Sequence, residues 1–331
     1  MVRERVTMAD VARAAGVSSA TVSYVLSGKR PVAPETRAVV EAAIEELSFT
    51  VNVTARSLRT GRSSLVALIV PDIANPFFAQ LAATLQEQLR GLGLHVVVCG
   101  TGARRDEERA LLAEAVHQRF AGVVITPFRL KQQDFKPLVD AGMPVVISAD
   151  VSFGPIDLVT PDARVATRRA LERVSTSQRR RIAMIAGPRD ATGGDPRLEH
   201  LRALAMQFGM SLPHELVVRG EHTREAGAAG FGALMSRRYP PDAVFCGNDV
   251  IAVGAMDKAH ELGVDIPGDV ALIGHDDASF ASLVRPRLTT IRYPAAEVGR
   301  SAAQLLIERL NGRQAPKTVH VMAEFVARSS V

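Results

Sequence analysis

The stretch TMADVARAAGVSSATVSYVLSG, residues 7–28, carries two short helical patterns that meet at a glycine. Thr7 and Asp10 have the spacing of an N-cap and its first-turn acid, and Ser18 stands where it can cap a second helix. Apolar residues fall on one face of each segment, and Gly16 interrupts the first one. Two helices of about eight residues joined by a tight glycine turn predict a helix-turn-helix unit.

The second helix has several residues that lie off its apolar stripe and are free to face a DNA groove. The short hydroxyl side chains, which suit phosphate groups, are Ser18, Thr21, Ser23 and Ser27. The side chains suited to base edges or thymine methyl groups are Ser19, Ala20 and Tyr24. We add Thr7, at the start of the first helix, to these candidate DNA contacts. A third helix that opens at Pro34 completes an all-helical unit, whose alternative role is a cap packed on the rest of the chain.

The excess positive charge of the chain is concentrated near its start. Residues 1–63 contain nine basic and six acidic residues, a net charge of +3, whereas all 331 residues together carry +5. Residues 48–63 contain three arginines and no acidic residue. This distribution permits a polyanionic partner for the first part of the chain without requiring one.

From residue 65 onward, short β-branched apolar runs alternate with longer helical patterns. The runs are 65–70, 95–99, 122–126, 144–148, 181–186, 243–246 and 270–274. The intervening segments long enough for crossover helices include 77–90, 106–118, 196–208, 223–237 and 249–262. Strands that are apolar on both faces belong to parallel sheets covered by helices on both sides. This number of strands and helices is too large for one sheet, so we expect two α/β lobes around a cleft. Residues 288–292 and 319–326 are candidates to cross back between the lobes.

The string VTMADVARAAGVSSATVSYVLSGKRPVAPETRAVVEAAIEELSF, residues 6–49, resembles the head of the lactose-repressor (LacI/GalR) family. The family pattern has the form T-x-x-D-V-A-x-x-A-G-V-S-x-x-T-V-S-x-V-L. The likeness continues through NVTARSLRTGRS, residues 52–63, and covers nearly the whole chain. It implies a small all-α helix-turn-helix head and an α/β periplasmic-binding-protein-like body of two doubly wound lobes. The implied segments are a head of residues 1–50, a hinge of residues 51–63, and a body of residues 64–331, with an N-lobe of about 64–161 and 292–320 and a C-lobe of about 162–290 and 321–331.

The hinge suggests how the head is controlled. Residues 52–58 are too few to hold a helix alone, so they can fold on DNA instead. In the family this segment becomes a helix in the minor groove, where a leucine from each subunit wedges between base pairs. Leu58 stands at that position, with Asn52 and Ala55 on the matching face. Bending DNA requires two hinges placed together, so the resemblance implies a homodimer on a palindromic operator.

Ligands of such sheets bind at the carboxyl ends of the strands, in the cleft. The candidates that follow predicted strands are Asn75, Phe77, Phe78, Thr126, Phe128, Asp150, Asn248 and Asp276. The resemblance adds Arg197, His222 and Tyr293. Carboxylates and amides accept hydrogen bonds from hydroxyl groups, and phenylalanine covers the apolar face of a ring. We therefore expect a small-molecule effector, and a sugar or sugar derivative is the commonest case of the family. The alternatives are that Asn75 only caps the following helix and that Arg197 is a surface charge.

The chain departs from the family pattern at several positions, which leaves the effector and the operator sequence open. These positions are Tyr24, Asp162-Ala163, Ser177-Gln178 and His200. Within the family, action with a corepressor or as an activator also stays open. A sugar carrier of the periplasmic type is opposed by the basic head and by the lack of a signal-like segment at the N-terminus. An enzyme is opposed by the lack of G-x-G-x-x-G after a strand, and of Walker-A, G-x-S-x-G and H-E-x-x-H motifs.

The two cysteines, Cys99 and Cys246, each end an apolar run and have no metal-ligand spacing, so we expect buried free thiols. We expect no metal and no cofactor. Residues 1–20 are interrupted by charge, and no apolar stretch approaches 18 residues. The sequence thus predicts a cytoplasmic protein that is not an enzyme.

Overall fold

The computed structural model describes residues 6–27, 30–47, 49, 63–192 and 195–331. The chain forms two compact units, Met1–Ser63 and Ser64–Val331, which we call the head and the body. No helix among the described residues has the length and apolar character needed to cross a membrane.

The head contains helices α1 (Met8–Ala14), α2 (Ser19–Ser27) and α3 (Pro34–Glu46). The predicted cap of α1 is confirmed, because the Thr7 and Asp10 side chains each accept a hydrogen bond from the other residue's backbone N–H. Ser18 Oγ accepts a hydrogen bond from the backbone N–H of Thr21 at 3.1 Å, at the start of α2. Gly16, between the two helices, has φ +65°, a conformation that glycine adopts at no steric cost.

The apolar stripes of the three helices meet in a single small core. Val11, Val22 and Val40, one from each helix, are fully buried. The other buried members are Ala12, Ala15, Val25, Ala43 and Phe49. The helical patterns read from the sequence therefore correspond to the faces that the head buries.

The body contains twelve strands and eight helices among the described residues. The strands are β1 (Leu65–Val70), β2 (His95–Gly100), β3 (Gly122–Ile125), β4 (Val145–Ser148), β5 (Asp157–Asp162), β6 (Ile182–Ala186), β7 (Val217–Arg219), β8 (Ala243–Cys246), β9 (Ala271–Asp276), β10 (Thr289–Arg292), β11 (Thr318–Met322) and β12 (Glu324–Val326). The helices are α4 (Pro76–Arg90), α5 (Arg105–His117), α6 (Lys136–Asp140), α7 (Arg164–Thr176), α8 (Pro196–Ala205), α9 (Arg224–Met235), α10 (Asp249–Leu262) and α11 (Ala295–Leu310). All seven predicted runs form strands, and all five predicted crossover segments form helices.

The strands form two six-stranded sheets. The first has the order β11-β5-β4-β3-β1-β2, and the second has the order β12-β10-β9-β8-β6-β7. All pairs are parallel except β10 with β12. We call the two halves built on these sheets the N-lobe and the C-lobe. The chain passes to the C-lobe after β5, returns after β10, and passes again between β11 and β12.

The strand β5 was not among the predicted runs, because its sequence DLVTPD has only three consecutive apolar or β-branched residues between an aspartate and a proline. The aspartate, Asp157, is fully buried. Arg309 Nε and Arg313 Nη2 donate to it at 2.8 and 2.7 Å. A buried carboxylate is tolerated when it is paired in this way, and here the pairing ties β5 to the end of α11.

The expectation that every run is covered on both faces is wrong for β2. This strand lies at the edge of the first sheet, and the side chains of Val97 and Val98 are 37% and 44% exposed. Cys99, on the same strand, is consequently only partly buried, which corrects the prediction of a buried thiol there. Cys246, on the central strand β8, is buried as predicted.

Candidate functional site

A cavity of about 350 Å³ lies in the body, where residues that follow the strands of both lobes face each other. All eleven side chains predicted to bind an effector line it: Asn75, Phe77, Phe78, Thr126, Phe128, Asp150, Arg197, His222, Asn248, Asp276 and Tyr293. The volume is in the range typical of small-molecule sites. That these residues bind a ligand stays a prediction. The structure adds lining residues that were not predicted: Pro71, Asp72, Gly102, Ala103, Ser148, Ala149, Pro161, Glu221 and Thr223. Most of them are next to a predicted strand end or a predicted site residue in the sequence. Extending each prediction to its sequence neighbours would therefore have found them.

The N-lobe wall of the cavity is largely aromatic. The rings of Phe77 and Phe78 pack edge to face with centroids 5.1 Å apart, and Phe77 meets Tyr293 in the same way at 5.9 Å. Phe128 lies 5.5 Å from the imidazole ring of His222 on the opposite lobe. These rings provide flat apolar surface for the face of a ring-shaped ligand.

Asn75 has both of the roles considered for it. Its side-chain oxygen accepts a hydrogen bond from the backbone N–H of Phe77 at 3.0 Å, which caps α4. Its amide nitrogen faces the C-lobe and lies 3.4 Å from Asp276 Oδ2. The residue thus begins a helix and lines the cavity at the same time.

Thr126 offers an unused polar atom. Its hydroxyl oxygen is buried and has no hydrogen-bond partner among the described residues. Thr126 lines the cavity, and a rotation about its Cα–Cβ bond would turn the hydroxyl to a ligand or to water, since buried polar groups are normally satisfied.

Arg197 occupies the first turn of α8 and brings a cation to the cavity. Its guanidinium donates to the backbone oxygen of Gly247 and lies 6.0 Å from the centroid of the Tyr293 ring. Burial opposes its charge, but Asp276 and Asp150 outweigh that effect and hold the pKa of Arg197 above its ordinary value. The arginine is therefore charged, and it is not the surface residue considered as an alternative.

Asp276 ends β9 in a strained conformation. Its φ of +110° lies in the left-handed region, which non-glycine residues seldom adopt. Burial would raise the pKa of its carboxyl, but a hydrogen bond from His275 and the charge of Arg197 keep the pKa below the usual value. Asp249 holds the adjoining turn, since its carboxyl accepts hydrogen bonds at 2.7 Å from Ala278 N and from Thr290 Oγ1. Strain that is held by its surroundings is a common property of binding sites.

His222 is an uncharged member of the cavity. Burial, together with the nearby charge of Arg197, lowers the pKa of its imidazole to about 4. The ring fits because two glycines face it, and a Cβ atom on Gly187 would lie 2.8 Å from its Cε1 atom. A neutral imidazole presents one hydrogen-bond donor and one acceptor.

The lobes are joined across the edge of the cavity by three side chains that we call the Arg129 latch. Arg129, after β3 in the N-lobe, lies 2.8 Å from Asp190 Oδ2 and 2.8 Å from Glu221 Oε1 of the C-lobe. Next to it, the backbone N–H of Thr192 donates to the backbone oxygen of Phe128 at 2.7 Å. These contacts hold the two lobes together over the cavity. The sequence did not indicate them.

The described residues contain no cluster of three or more His, Cys, Asp or Glu side chains suited to a metal ion.

On the head, the predicted DNA contacts surround the start of α2. Ser18, Ser19 and Ala20 are exposed, as is Thr7. Thr21, Ser23 and Tyr24 are half-buried, and Arg30 lies over the Tyr24 ring at 5.2 Å from its centroid. The Ser27 side chain, Asn52, Ala55 and Leu58 lie outside the described residues. Contact of all these side chains with DNA stays a prediction.

Comparison with protein families gives two matches along the chain. A family described as "Bacterial regulatory proteins, lacI family" matches residues 7–52. A "Periplasmic binding protein-like domain" matches residues 172–331. The first match covers α1 to α3, and the second covers nearly all of the C-lobe and the end of the N-lobe.

Among similar proteins, the HTH-type transcriptional repressor PurR of Yersinia enterocolitica is 32% identical over 334 residues, which is 98% of this chain and 96% of the relative. PurR of Proteus mirabilis is 30% identical over 333 residues, with the same coverage.

Solved structures of similar proteins include transcription regulators as well. The lac repressor dimer bound to operator and the anti-inducer ONPF has a TM-score of 0.86 and 26% identity, over 99% of both chains. The complex of the transcriptional regulator CelR with cellobiose has a TM-score of 0.74 and 30% identity, over 99% of this chain and 100% of that one. The chain therefore belongs to the LacI family and is a DNA-binding transcription regulator with a helix-turn-helix head and a periplasmic-binding-protein-like body.

Proposed function

We propose that this regulator is a repressor that binds a palindromic operator as a homodimer, and that a small ring-shaped molecule in the cavity controls its affinity for DNA. The observation that carries the proposal is that the cavity combines three phenylalanine rings, all on the N-lobe wall, with hydrogen-bonding side chains on both walls. A sugar or sugar derivative matches both walls, since it has apolar ring faces and hydroxyl groups around its edge. The cellobiose complex of CelR is a relative with a ligand of this kind.

The contacts between the lobes suggest how a ligand controls DNA binding. A ligand that touches both walls prefers the arrangement of lobes in which both are within reach, and it shifts the population toward that arrangement. Since the operator is bound by two heads at once, a change in the lobes of a dimer alters how the heads are placed together. An effector that favours the DNA-bound arrangement acts as a corepressor, and one that opposes it acts as an inducer.

The DNA contacts are proposed from the pattern of the head and from the family resemblance. They are Thr7, Ser18, Ser19, Ala20, Thr21, Ser23, Tyr24 and Ser27 of the head, and Asn52, Ala55 and Leu58 of the hinge. We also propose that the chain acts in the cytoplasm, where its operator is, and has no catalytic activity. The lac repressor bound to operator and the PurR repressors support this reading.

The test is fluorescence anisotropy of the purified chain on DNA from upstream of its own gene, at fixed salt, across a panel of sugars and nucleosides. We expect binding to a palindromic site that one compound weakens or strengthens, and the direction gives the sign of the response. Affinity should fall steeply with salt, because phosphate contacts release counterions. Binding to no palindrome would overturn the proposal.

A variant of the hinge sharpens the same assay. Leu58→Ser should lower operator affinity strongly and leave ligand binding intact, because a small polar side chain cannot wedge between base pairs. Leu58→Met, which keeps an apolar wedge, serves as the matched control. If the serine variant and the native chain bound the operator equally well, the proposed DNA contact of Leu58 would be wrong.

A further inference from the structure

The cavity has an unequal charge balance. Four carboxylates line it, from Asp72, Asp150, Glu221 and Asp276, and Arg197 is the sole lining cation among the described residues. His222 adds no positive charge, because burial and the charge of Arg197 lower its pKa to about 4. A ligand therefore enters an environment with more negative than positive charge.

The two arginines near the cavity are held in different ways. The guanidinium of Arg197 donates to Gly247 O, and Asp276 and Asp150 favour its charge, but among the described residues no carboxylate lies within ion-pair distance of it. Arg129, at the edge, is held by Asp190 and Glu221 at 2.8 Å each. Arg129 is therefore not free to receive an anion, and Arg197 alone stands against four lining carboxylates.

The carboxylates are less completely neutralised. Asp150 contacts the hydroxyl of Tyr293 at 3.4 Å, and Asp72 accepts a hydrogen bond from the backbone N–H of Ala74 at 2.9 Å. Among the described residues, neither of these two carboxylates lies within ion-pair distance of a cation. Both stay able to accept hydrogen bonds from hydroxyl groups or from an ammonium group.

Caps at the helix starts beside the cavity use part of the hydrogen-bonding capacity found there. Free backbone N–H groups at a helix N-terminus bind phosphate readily. Asn75 accepts from Phe77 N at 3.0 Å, and Asn248 accepts from Ile251 N at 2.8 Å. Thr223 likewise accepts from Ala226 N at 3.2 Å. Each cap therefore occupies one of the N–H groups that a phosphate would use.

We infer that the cavity selects an uncharged or positively charged ring ligand and rejects phosphorylated or carboxylated ones. The inference rests on the proposed function and narrows its ligand class. Hydroxyl groups or an amine of the ligand donate to Asp150 and Asp276, Thr126 Oγ1 gains its missing partner, and the phenylalanine rings cover the faces of the ligand ring. An added phosphate would instead bring negative charge close to carboxylates in a partly buried site, where charge repulsion is stronger than in water.

The experiment compares matched ligands by thermal shift and then by calorimetry, on the full chain at constant ionic strength. The library consists of sugars and nucleosides with their amine and phosphate derivatives, such as glucose, glucosamine and glucose 6-phosphate, or adenosine and its monophosphate. Within any set that binds, we expect the uncharged or amine member to bind at least roughly ten-fold more tightly than the phosphate. A phosphate that binds as tightly as its parent compound, or more tightly, would overturn the charge inference and leave the proposed function standing. A library with no member that binds would overturn the small-ring effector itself.

Two variants show whether the carboxylates cause the selection. Asp150→Asn should reduce the discrimination against the phosphate several-fold, because it removes one negative charge from the cavity lining. Glu199→Gln is the matched control, since Glu199 is an exposed acid on α8 that does not line the cavity. Equal discrimination in both variants and in the native chain would show that the lining charges do not select the ligand.

Discussion

The two walls of the cavity differ in chemistry. The N-lobe wall presents three phenylalanine rings beside Asp72, Asn75, Thr126 and Asp150, whereas the C-lobe wall presents Arg197, Glu221, His222, Thr223, Asn248 and Asp276. Phenylalanine rings accept any flat ring, but hydrogen-bonding groups accept a ligand only in an orientation that satisfies them. We conclude that the C-lobe wall, which holds the sole lining cation of the described residues, contributes more to specificity, and that the phenylalanine rings of the N-lobe wall supply general affinity. Changes on the C-lobe wall should therefore have the larger effects.

The strongest test of this difference is Arg197→Ala. Truncation removes the sole lining cation of the described residues, and a hydrogen bond from a charged group to a ligand contributes about 1.5–3 kcal/mol. Effector affinity should therefore fall about 10-fold to 150-fold, as measured by calorimetry. Operator binding without effector should persist.

The controls for Arg197 separate charge from geometry. Arg197→Lys keeps a positive charge but not the planar guanidinium, so it should recover little of the affinity. Arg202→Ala removes an exposed arginine from the same helix, and it should have no effect. A normal effector response from the alanine variant would show that the C-lobe wall is not the binding surface.

A second test concerns the neutral state of His222, which makes Arg197 the sole lining cation of the described C-lobe wall. The pKa of His222 is about 4 in the folded chain and about 6.5 in the unfolded chain, so the unfolded state binds more protons between these values. The stability contributed by the neutral ring is present above pH 6.5 and is lost as the pH falls toward 4. Between pH 7 and 4.5, the native chain should lose about 2 kcal/mol more unfolding free energy than His222→Gln does.

Urea unfolding at several pH values measures this difference. Asp249, whose pKa is raised to about 8 by burial, gives a pH dependence of opposite sign, because its folded state retains a proton that the unfolded state releases. Asp249 is present in both chains, so its contribution cancels in the comparison. If the unfolding free energies of the two chains changed with pH in the same way, the pKa of His222 would not be lowered. His222 would then be a second cation of the C-lobe wall near neutral pH.

On the N-lobe wall, Phe128→Leu should have a smaller effect. Leucine preserves most of the apolar volume but removes the aromatic ring that meets His222 at 5.5 Å, and an aromatic contact contributes about 0.5–1.5 kcal/mol beyond its buried area. Effector affinity should fall roughly three-fold to ten-fold in calorimetry. Phe208→Leu, at a half-buried phenylalanine that does not line the cavity, is the control. A loss as large as that of Arg197→Ala would contradict the division of roles between the walls.

The sequence predicted which residues line the two walls better than it predicted the contacts between the walls. Residues such as Thr126 and Asn248 could be placed from strand ends alone, because parallel strands bring their carboxyl ends to one edge. Arg197, His222 and Tyr293 needed the family resemblance, since none of them follows one of the seven runs that were predicted as strands. The uncharged state of His222 depends on burial and on the charge of Arg197, and the ring has room because of Gly187 and Gly247, which are distant from each other in sequence.

The sequence did not predict features that depend on which elements lie next to a strand or a lobe, such as the exposure of β2 and the ion pairs between the lobes. The run at 95–99 has the composition of a buried strand, yet its position at the sheet edge exposes it, and edge position follows from strand order. The Arg129 latch was missed for the same reason. Its partners Asp190 and Glu221 are far along the chain, and only the folded arrangement of the two lobes brings them to Arg129.

The latch gives the smallest expected effect, because of its three residues only Glu221 lines the cavity, and its ion pairs are exposed. The Arg129 side chain is 20% exposed, but Asp190 and Glu221 are 68% and 51% exposed, so solvent screens both pairs. Exposed ion pairs of this kind contribute little, because solvent screens them. Arg129→Gln should therefore weaken effector binding only a few-fold, by lowering the fraction of molecules in which both walls are within reach of a ligand.

A double-mutant cycle with Asp190→Asn isolates this contribution, since Asp190 does not line the cavity. The two changes should be less than additive, and the coupling should shrink as salt is raised, because exposed charges are screened. Arg104→Gln, which breaks exposed ion pairs within the N-lobe alone, should leave the effector affinity unchanged. If Arg129→Gln matched the loss in Arg197→Ala, the ligand would depend on lobe closure more than on the C-lobe wall. If it had no effect at any salt concentration, the walls would meet around the ligand without help from the latch.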